Sequence, residues 1–244
     1  MPAGLQRERG IQITAQPIAI GLDEGRVVSG LWLRPPSARA CLVLAHGAGA
    51  GMTHRSMAAL AEGLVERGVA TLRYQFLYME RGSKRPDPPT LAHRAVRAAV
   101  EEAHRRAGDL PLFAGGRSFG GRMTSQAQAA SPLPDVRGLV FFAFPLHPGG
   151  KPSTDRAVHL ADVEIPMLFV QGTRDKLADI QLLQPVLASL GARATPLFLE
   201  GADHGFHVPA STGRLDAEIL ADALDGAATW MLQNAGRDRE IAHR

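Results

Sequence analysis

A short apolar run, Leu110-Pro111-Leu112-Phe113-Ala114, gives way to Gly115-Gly116-Arg117-Ser118-Phe119-Gly120-Gly121 and then to a stretch of small, helix-compatible residues. Few chain geometries accommodate that order. The apolar run predicts a buried strand, and the G-x-S-x-G at 116–120 predicts a sharp strand-to-helix turn with the serine at its apex. A residue at that apex is strained, so its neighbours must be nearly free of side chains. The turn lifts the serine Oγ above the sheet edge. It aims the Phe119 N–H at the same space, at a helix N-terminus where partial positive charge accumulates. Taken alone, the pentapeptide fits a tight turn capped by a serine equally well. The rest of the chain has to decide.

The flanking sequence supplies the sheet. Residues 11–20 and 26–33 alternate apolar and polar, as half-buried strands do, across the turn signal at 21–25. Residues 40–45 form a continuous apolar run, as expected of a strand covered on both faces. Further strands are expected at 69–76, 136–144, 166–170 and 194–199. Helices are expected after Gly51 (Met57, Leu60, Ala61 and Leu64 inward), from a Thr90 cap (Ala92, Val96, Ala99, Val100 and Ala103 inward), after Ser118, over 179–190 despite Pro185, and at the end, with Leu215, Ile219, Ala223, Ala227, Trp230 and Met231 on one face. Strand and helix alternate from residue 40 onward. The expectation is an α/β fold: a mostly parallel central sheet with an antiparallel N-terminal edge and helices on both faces. There is no repeat or linker, so residues 1–244 read as one domain with loose ends at 1–10 and 234–244.

Composition excludes several function classes. Net charge is +3, and the basic residues are dispersed among acids, which argues against a nucleic-acid partner. The single cysteine, Cys41, lies within an apolar run and reads as a buried structural thiol in a reducing compartment. The first twenty residues carry no signal-peptide pattern, and no apolar run is long enough to cross a bilayer. A cytoplasmic protein without a membrane partner is expected.

In an open parallel sheet, functional groups gather beyond the carboxyl ends of the strands. Four such ends carry polar groups here: the His46-Gly47 turn, Ser118, Asp175 and His204. Ser118 and Asp175 are separated by about two strand–helix units of roughly 30 residues, and Asp175 and His204 by about one. All four groups therefore return to one sheet edge. Asp179, four residues after Asp175, and His207, three after His204, are alternative candidates at the same strand ends. The pair His204-x-x-His207 lacks a third ligand at useful spacing, so no metal is expected. The Gly47-x-Gly49-x-Gly51 run has Met52 at the third-glycine position of a dinucleotide fingerprint, and no acid ends the next strand, so no such cofactor is expected.

These motifs, His46-Gly47-Ala48-Gly49, Gly116-x-Ser118-x-Gly120, Gly172-Thr173-Arg174-Asp175 and Gly201-Ala202-Asp203-His204, resemble the α/β-hydrolase superfamily over about residues 26–233. The resemblance is strongest to its small, lid-less members near the dienelactone hydrolases. Within that branch the chain looks like an uncharacterised family whose animal relatives include a subunit of a chromatin-acetylating complex. The resemblance implies the α/β-hydrolase fold without a cap domain. It also implies Ser118 as nucleophile, His204 as base, Asp175 as its orienting acid, and the backbone N–H groups of Ala48 and Phe119 as the oxyanion hole. Dienelactone hydrolases carry cysteine as the nucleophile, and this chain departs from them there.

The expected activity is hydrolysis of a carboxylic ester or thioester of a small soluble substrate. The alternative is a non-catalytic scaffold that keeps the fold. About twenty residues join the strands ending at Phe144 and starting at Pro166, too few for an inserted lid. The long segment 77–89 carries Arg81, Lys84 and Arg85 and is expected near the site. With Arg117 it offers a means of attracting an anionic ester. Phe76, Leu77 and Tyr78 are the expected pocket wall, and His147 is a further lining residue.

Overall fold

The computed structural model describes residues 13–236. The expectation of loose ends at 1–10, the start of the strand expected at 11–20 and the last residues of the chain lie outside that range. Asn234 is inside it and ends the last helix, buried and donating from Nδ2 to the Trp230 carbonyl at 2.8 Å.

Among the described residues, eight strands form one sheet: β1 (Gln16–Gly21), β2 (Val27–Leu33), β3 (Ala40–Ala45), β4 (Val69–Tyr74), β5 (Leu112–Arg117), β6 (Val136–Phe142), β7 (Met167–Gly172) and β8 (Ala194–Leu199). Their spatial order is β1-β2-β4-β3-β5-β6-β7-β8. β2 runs antiparallel to both β1 and β4, and all other neighbours are parallel. Alternate residues of a strand face opposite ways. Cys41, Val43 and Ala45 of β3 lie in one buried apolar layer with residues of α3 (Pro89–Ala107), α4 (Phe119–Ala130) and α5 (Ile180–Ser189). Ala40, Leu42 and Leu44 pack with α1 (Arg55–Glu66) and α6 (Asp216–Asn234). Layers on both faces explain why β3 reads as unbroken apolar sequence. Cys41 is fully buried, and burial pushes its thiol up to about 12.

Three local expectations are revised. The segment 77–89 is not simply a loop, because Leu77–Glu80 forms a single helical turn, α2. Thr90 does not cap α3; the helix starts at Pro89, with Pro88 as its N-cap residue. Proline suits the first helical position because its fixed φ is already helical and its missing N–H would have had no partner. Leu215 is not on the apolar face of α6; it is the N-cap residue and is exposed, while Ile219, Ala223, Ala227, Trp230 and Met231 are buried as expected.

The direction of sheet construction reverses at β3. From there the chain builds outward to β4, then crosses to β5 and continues through β8. A crevice opens beyond the carboxyl ends at such a point, and Ser118 follows β5 directly. The two glycines flanking it are steric requirements of the crevice. A Cβ on Gly116 would lie 2.4 Å from the Ala45 carbonyl oxygen, and one on Gly120 would lie 2.6 Å from the oxygens of both Ala45 and His46. These are backbone atoms of the adjacent strand and cannot rotate away. Gly120→Ala should therefore cost about 3 kcal/mol or more, as severe overpacking does. In a chain of this size that corresponds to a melting temperature roughly 6–12 °C lower. A thermal melt unchanged within about 2 °C would show that α4 can slide off β3.

Candidate active site

Ser118 has φ 49° and ψ −116°, a strained conformation for a residue with a Cβ. It is held there by its N–H donating to the Phe142 carbonyl at 3.0 Å, and by α4 beginning at the next residue. Its Oγ lies 2.9 Å from His204 Nε2. His204 Nδ1 lies 2.7 Å from Asp175 Oδ2. A carboxylate only accepts hydrogen bonds, so Nδ1 donates and Nε2 is left to accept from the serine hydroxyl. Three side chains from three strand ends thus form one hydrogen-bonded series.

The carboxylate that faces His204 is fixed by its surroundings. Asp175 is buried; besides His204, its Oδ2 accepts from Gln171 Nε2 at 2.6 Å, and its Oδ1 accepts from the Leu177 N–H at 2.7 Å. Asp179 is differently occupied. Its Oδ1 accepts from the Gln181 N–H at 2.9 Å, capping α5. Gly172 lets the two loops meet, since a Cβ there would sit 2.3 Å from the Ala202 carbonyl oxygen. The His204 loop is braced by Asp203, whose Oδ1 accepts from the N–H groups of Gly205 and His207. It is also clamped by Arg117, whose Nη2 donates to the His204 carbonyl at 3.0 Å and whose guanidinium lies over the Phe206 ring. His207 turns outward and pairs through Nδ1 with Asp216 at 2.6 Å.

The His46–Gly51 turn is held by the aromatic residues expected to line the pocket. His46 is fully buried; its Nδ1–H donates to the Gly47 carbonyl at 2.8 Å, and its Nε2 accepts from the Phe76 N–H at 3.1 Å. The Tyr78 hydroxyl accepts from the Gly49 N–H at 3.1 Å. Phe76 meets Phe119 edge to face at 5.3 Å. Phe76, Leu77 and Tyr78 are all buried, so they form the floor beneath Ala48 and Phe119 and not the wall. Neither the Ala48 N–H nor the Phe119 N–H has an acceptor among the described residues. His147 is also structural in its contacts. Its Nδ1–H donates to the Pro148 carbonyl and its Nε2 accepts from the Asp179 N–H at 3.0 Å, which ties the connection after β6 to the loop carrying Asp175.

Burial holds His46 far below the usual histidine range, at about 4. The unfolded chain therefore takes up a proton near pH 6.5 that the folded chain refuses until about pH 4. Stability from this group is complete above about pH 6.5 and is lost as pH falls toward 4, by up to about 3 kcal/mol. Half-buried His159, also held at about 4, acts in the same direction. Melting temperature should fall more steeply between pH 7 and pH 4.5 for the wild type than for His46→Asn. Parallel profiles would contradict this.

Two grooves meet at Ser118. One, of about 730 Å³, is lined by His54, Ser56, Arg117, His204 and His207 among others. The other, of about 370 Å³, is lined by Asp87, Phe119, Arg122, Met123, Pro145 and Arg156 among others. Ala48, Ser118 and Leu177 border both. Arg81, Lys84 and Arg85 are exposed and line neither groove, because α2 turns that segment outward. Sequence reasoning missed Gln171, Leu177, Arg122 and Arg156. For Arg122 a signal existed: four residues after Ser118 on a helix is the same helical face. Among the described residues, no three His, Cys, Asp or Glu side chains cluster as metal ligands do, and no helix is long and apolar enough to cross a membrane.

Comparison with known proteins agrees with this architecture. A family model described as an alpha/beta hydrolase domain matches residues 38–232. The dienelactone hydrolase of Anabaena variabilis superposes with a TM-score of 0.73 at 21% identity, over 91% of this chain and 99% of that one. A serine hydrolase without lid from Xanthomonas campestris gives 0.68 at 20% identity, over 89% and 95%. A cold-adapted esterase from an Arctic intertidal metagenomic library gives 0.66 at 17% identity, over 96% and 100%.

Proposed function

The chain belongs to the alpha/beta hydrolase domain family, and from that premise we propose that it is a serine hydrolase. It cleaves a carboxylic ester or thioester of a small substrate through an acyl-enzyme. The observation that carries this reading is the hydrogen-bonded series Asp175–His204–Ser118, with 2.7 and 2.9 Å separations, ending on a strained serine. Folding alone does not require Asp, His and Ser from three loops to meet in this order, which weighs against a pure scaffold. Esterases among the structural neighbours weigh on the same side.

In this mechanism His204 Nε2 takes the Ser118 proton as Oγ attacks the carbonyl carbon. Asp175 holds Nδ1–H toward itself and stabilises the imidazolium. The developing oxyanion is received by the Ala48 and Phe119 N–H groups, at the positive end of α4. His204 then gives the proton to the leaving oxygen or sulfur. Water, deprotonated by the same histidine, releases the acid. Because His204 borders the larger groove, the leaving group departs there, and the acyl group occupies the smaller one.

A panel of 4-nitrophenyl acyl esters tests the proposal. The expected result is turnover of short esters with an initial burst of one nitrophenol per chain. No turnover across the panel, with stoichiometric co-purification of a protein partner, would support the scaffold reading instead.

A further inference from the structure

The smaller groove contains two positive charges that no described residue pairs with. Arg122 lies on α4 one turn past Ser118, and Arg156 lies in the 3-10 helix Asp155–Asp162 of the connection between β6 and β7. Both line the groove. Among the described residues, neither guanidinium makes a hydrogen bond or an ion pair. Arg122 Nε is shielded from water and has no acceptor, and its guanidinium lies 5.9 Å from the centre of the Phe119 ring. Arg156 is close enough to raise the cost of charging Arg122, which is pushed below its ordinary value first by burial and then by Arg156; Arg156 is itself pushed down by burial. The acid in the groove, Asp87, does not compensate them. Its Oδ2 accepts from the Tyr78 N–H at 2.9 Å, and it pairs with neither arginine. His93 and His159, near Arg122, are pushed down by burial and by neighbouring cations, so the arginines carry the charge.

Unpaired, half-buried like charges are costly in a folded protein unless a ligand repays them. A planar guanidinium binds carboxylate or phosphate oxygens in a bidentate manner. The groove is the one assigned to the acyl group by the serine-hydrolase reading above, on which this inference rests. We propose that Arg122 and Arg156 form an oxyanion subsite for the far end of the acyl group. The substrates are then esters or thioesters whose acyl part ends in a carboxylate or a phosphate, such as half-esters of a short diacid. The groove's small volume suits a short chain between the Ser118 carbonyl position and the arginines.

Two chain-matched esters test this: mono-4-nitrophenyl glutarate, which ends in a carboxylate, and 4-nitrophenyl pentanoate, which ends in a methyl group. With the intact wild-type chain at low salt, kcat/KM should favour the glutarate ester by about tenfold or more, and the advantage should shrink as ionic strength rises. Arg156→Gln and Arg122→Gln should each cut that ratio by about tenfold. The triple variant Arg81→Gln, Lys84→Gln, Arg85→Gln should leave the ratio unchanged, because those side chains face solvent. A ratio near one in wild type, or a ratio that survives both arginine variants, would overturn the subsite while leaving the hydrolase reading intact. A second measurement is independent of turnover. Free glutarate or inorganic phosphate should raise the melting temperature of the wild type but not of Arg156→Gln, and the more effective of the two names the anion. Stabilisation of both proteins alike, or of neither, would overturn the subsite. Stabilisation of the wild type alone, with neither ester cleaved, would uphold the subsite and refute the hydrolase.

Discussion

Ser118→Ala should lower kcat for every ester the protein cleaves by about a millionfold, with the fold unchanged. The substitution removes the one oxygen positioned by the turn after β5, and alanine retains the Cβ already accommodated at φ 49°. Packing is therefore undisturbed, and the melting temperature should match the wild type or exceed it slightly. The residual rate should come from the Ala48 and Phe119 N–H groups acting on a carbonyl attacked by water, worth roughly a thousandfold over the uncatalysed reaction. A variant retaining more than about a hundredth of wild-type kcat would show that another group performs the attack.

Asp175→Asn should lower kcat by about ten-thousandfold with little change in KM. The carboxylate accepts from three donors: His204 and Gln171 at Oδ2, and the Leu177 N–H at Oδ1. An asparagine offers one oxygen and one NH₂, so one of the two positions must present a donor to a donor. If the NH₂ faces His204, the imidazole has to turn its lone pair toward it, and the proton moves to Nε2. That tautomer cannot accept the Ser118 proton. If the NH₂ faces Leu177 instead, a half-buried N–H loses its acceptor, at a cost of about 1 kcal/mol or more. Asp179→Asn should by contrast keep kcat within about threefold, since an asparagine caps a helix nearly as well as an aspartate. Steady-state rates for the two variants decide the matter. Loss at Asp179 and retention at Asp175 would move the acid role four residues along the chain.

Much of this arrangement was readable in the chain because it is encoded by necessity. Gly116 and Gly120 are where backbone from β3 comes within 2.4–2.6 Å of a would-be Cβ, so the spacing of the G-x-S-x-G reports a real contact. The strand ends bearing Ser118, Asp175 and His204 follow from the parallel alternation, and the structure brings those residues together. What was misread depends on where short segments turn in space. The basic residues 81–85 follow a strand on the site's edge, but the helical turn at Leu77–Glu80 directs them to solvent. Tyr78 is an aromatic at a strand end, which reads as a pocket wall; its hydroxyl is spent on the Gly49 N–H instead. Gln171 and Leu177 matter through Asp175, a three-dimensional relation that no local pattern announces. Arg156 enters the groove only because the connection after β6 folds back over α4.

The central claim is that Ser118 is a nucleophile activated by His204. A fluorophosphonate probe tests it most directly, because the reagent forms a covalent phosphonyl ester only with an activated hydroxyl. Intact-mass measurement after incubation should show one adduct per wild-type chain, mapped by peptide analysis to Ser118. Ser118→Ala should show none, and His204→Ala should react at least about a hundredfold more slowly. An unlabelled wild type, or an adduct that persists in Ser118→Ala, would contradict the account.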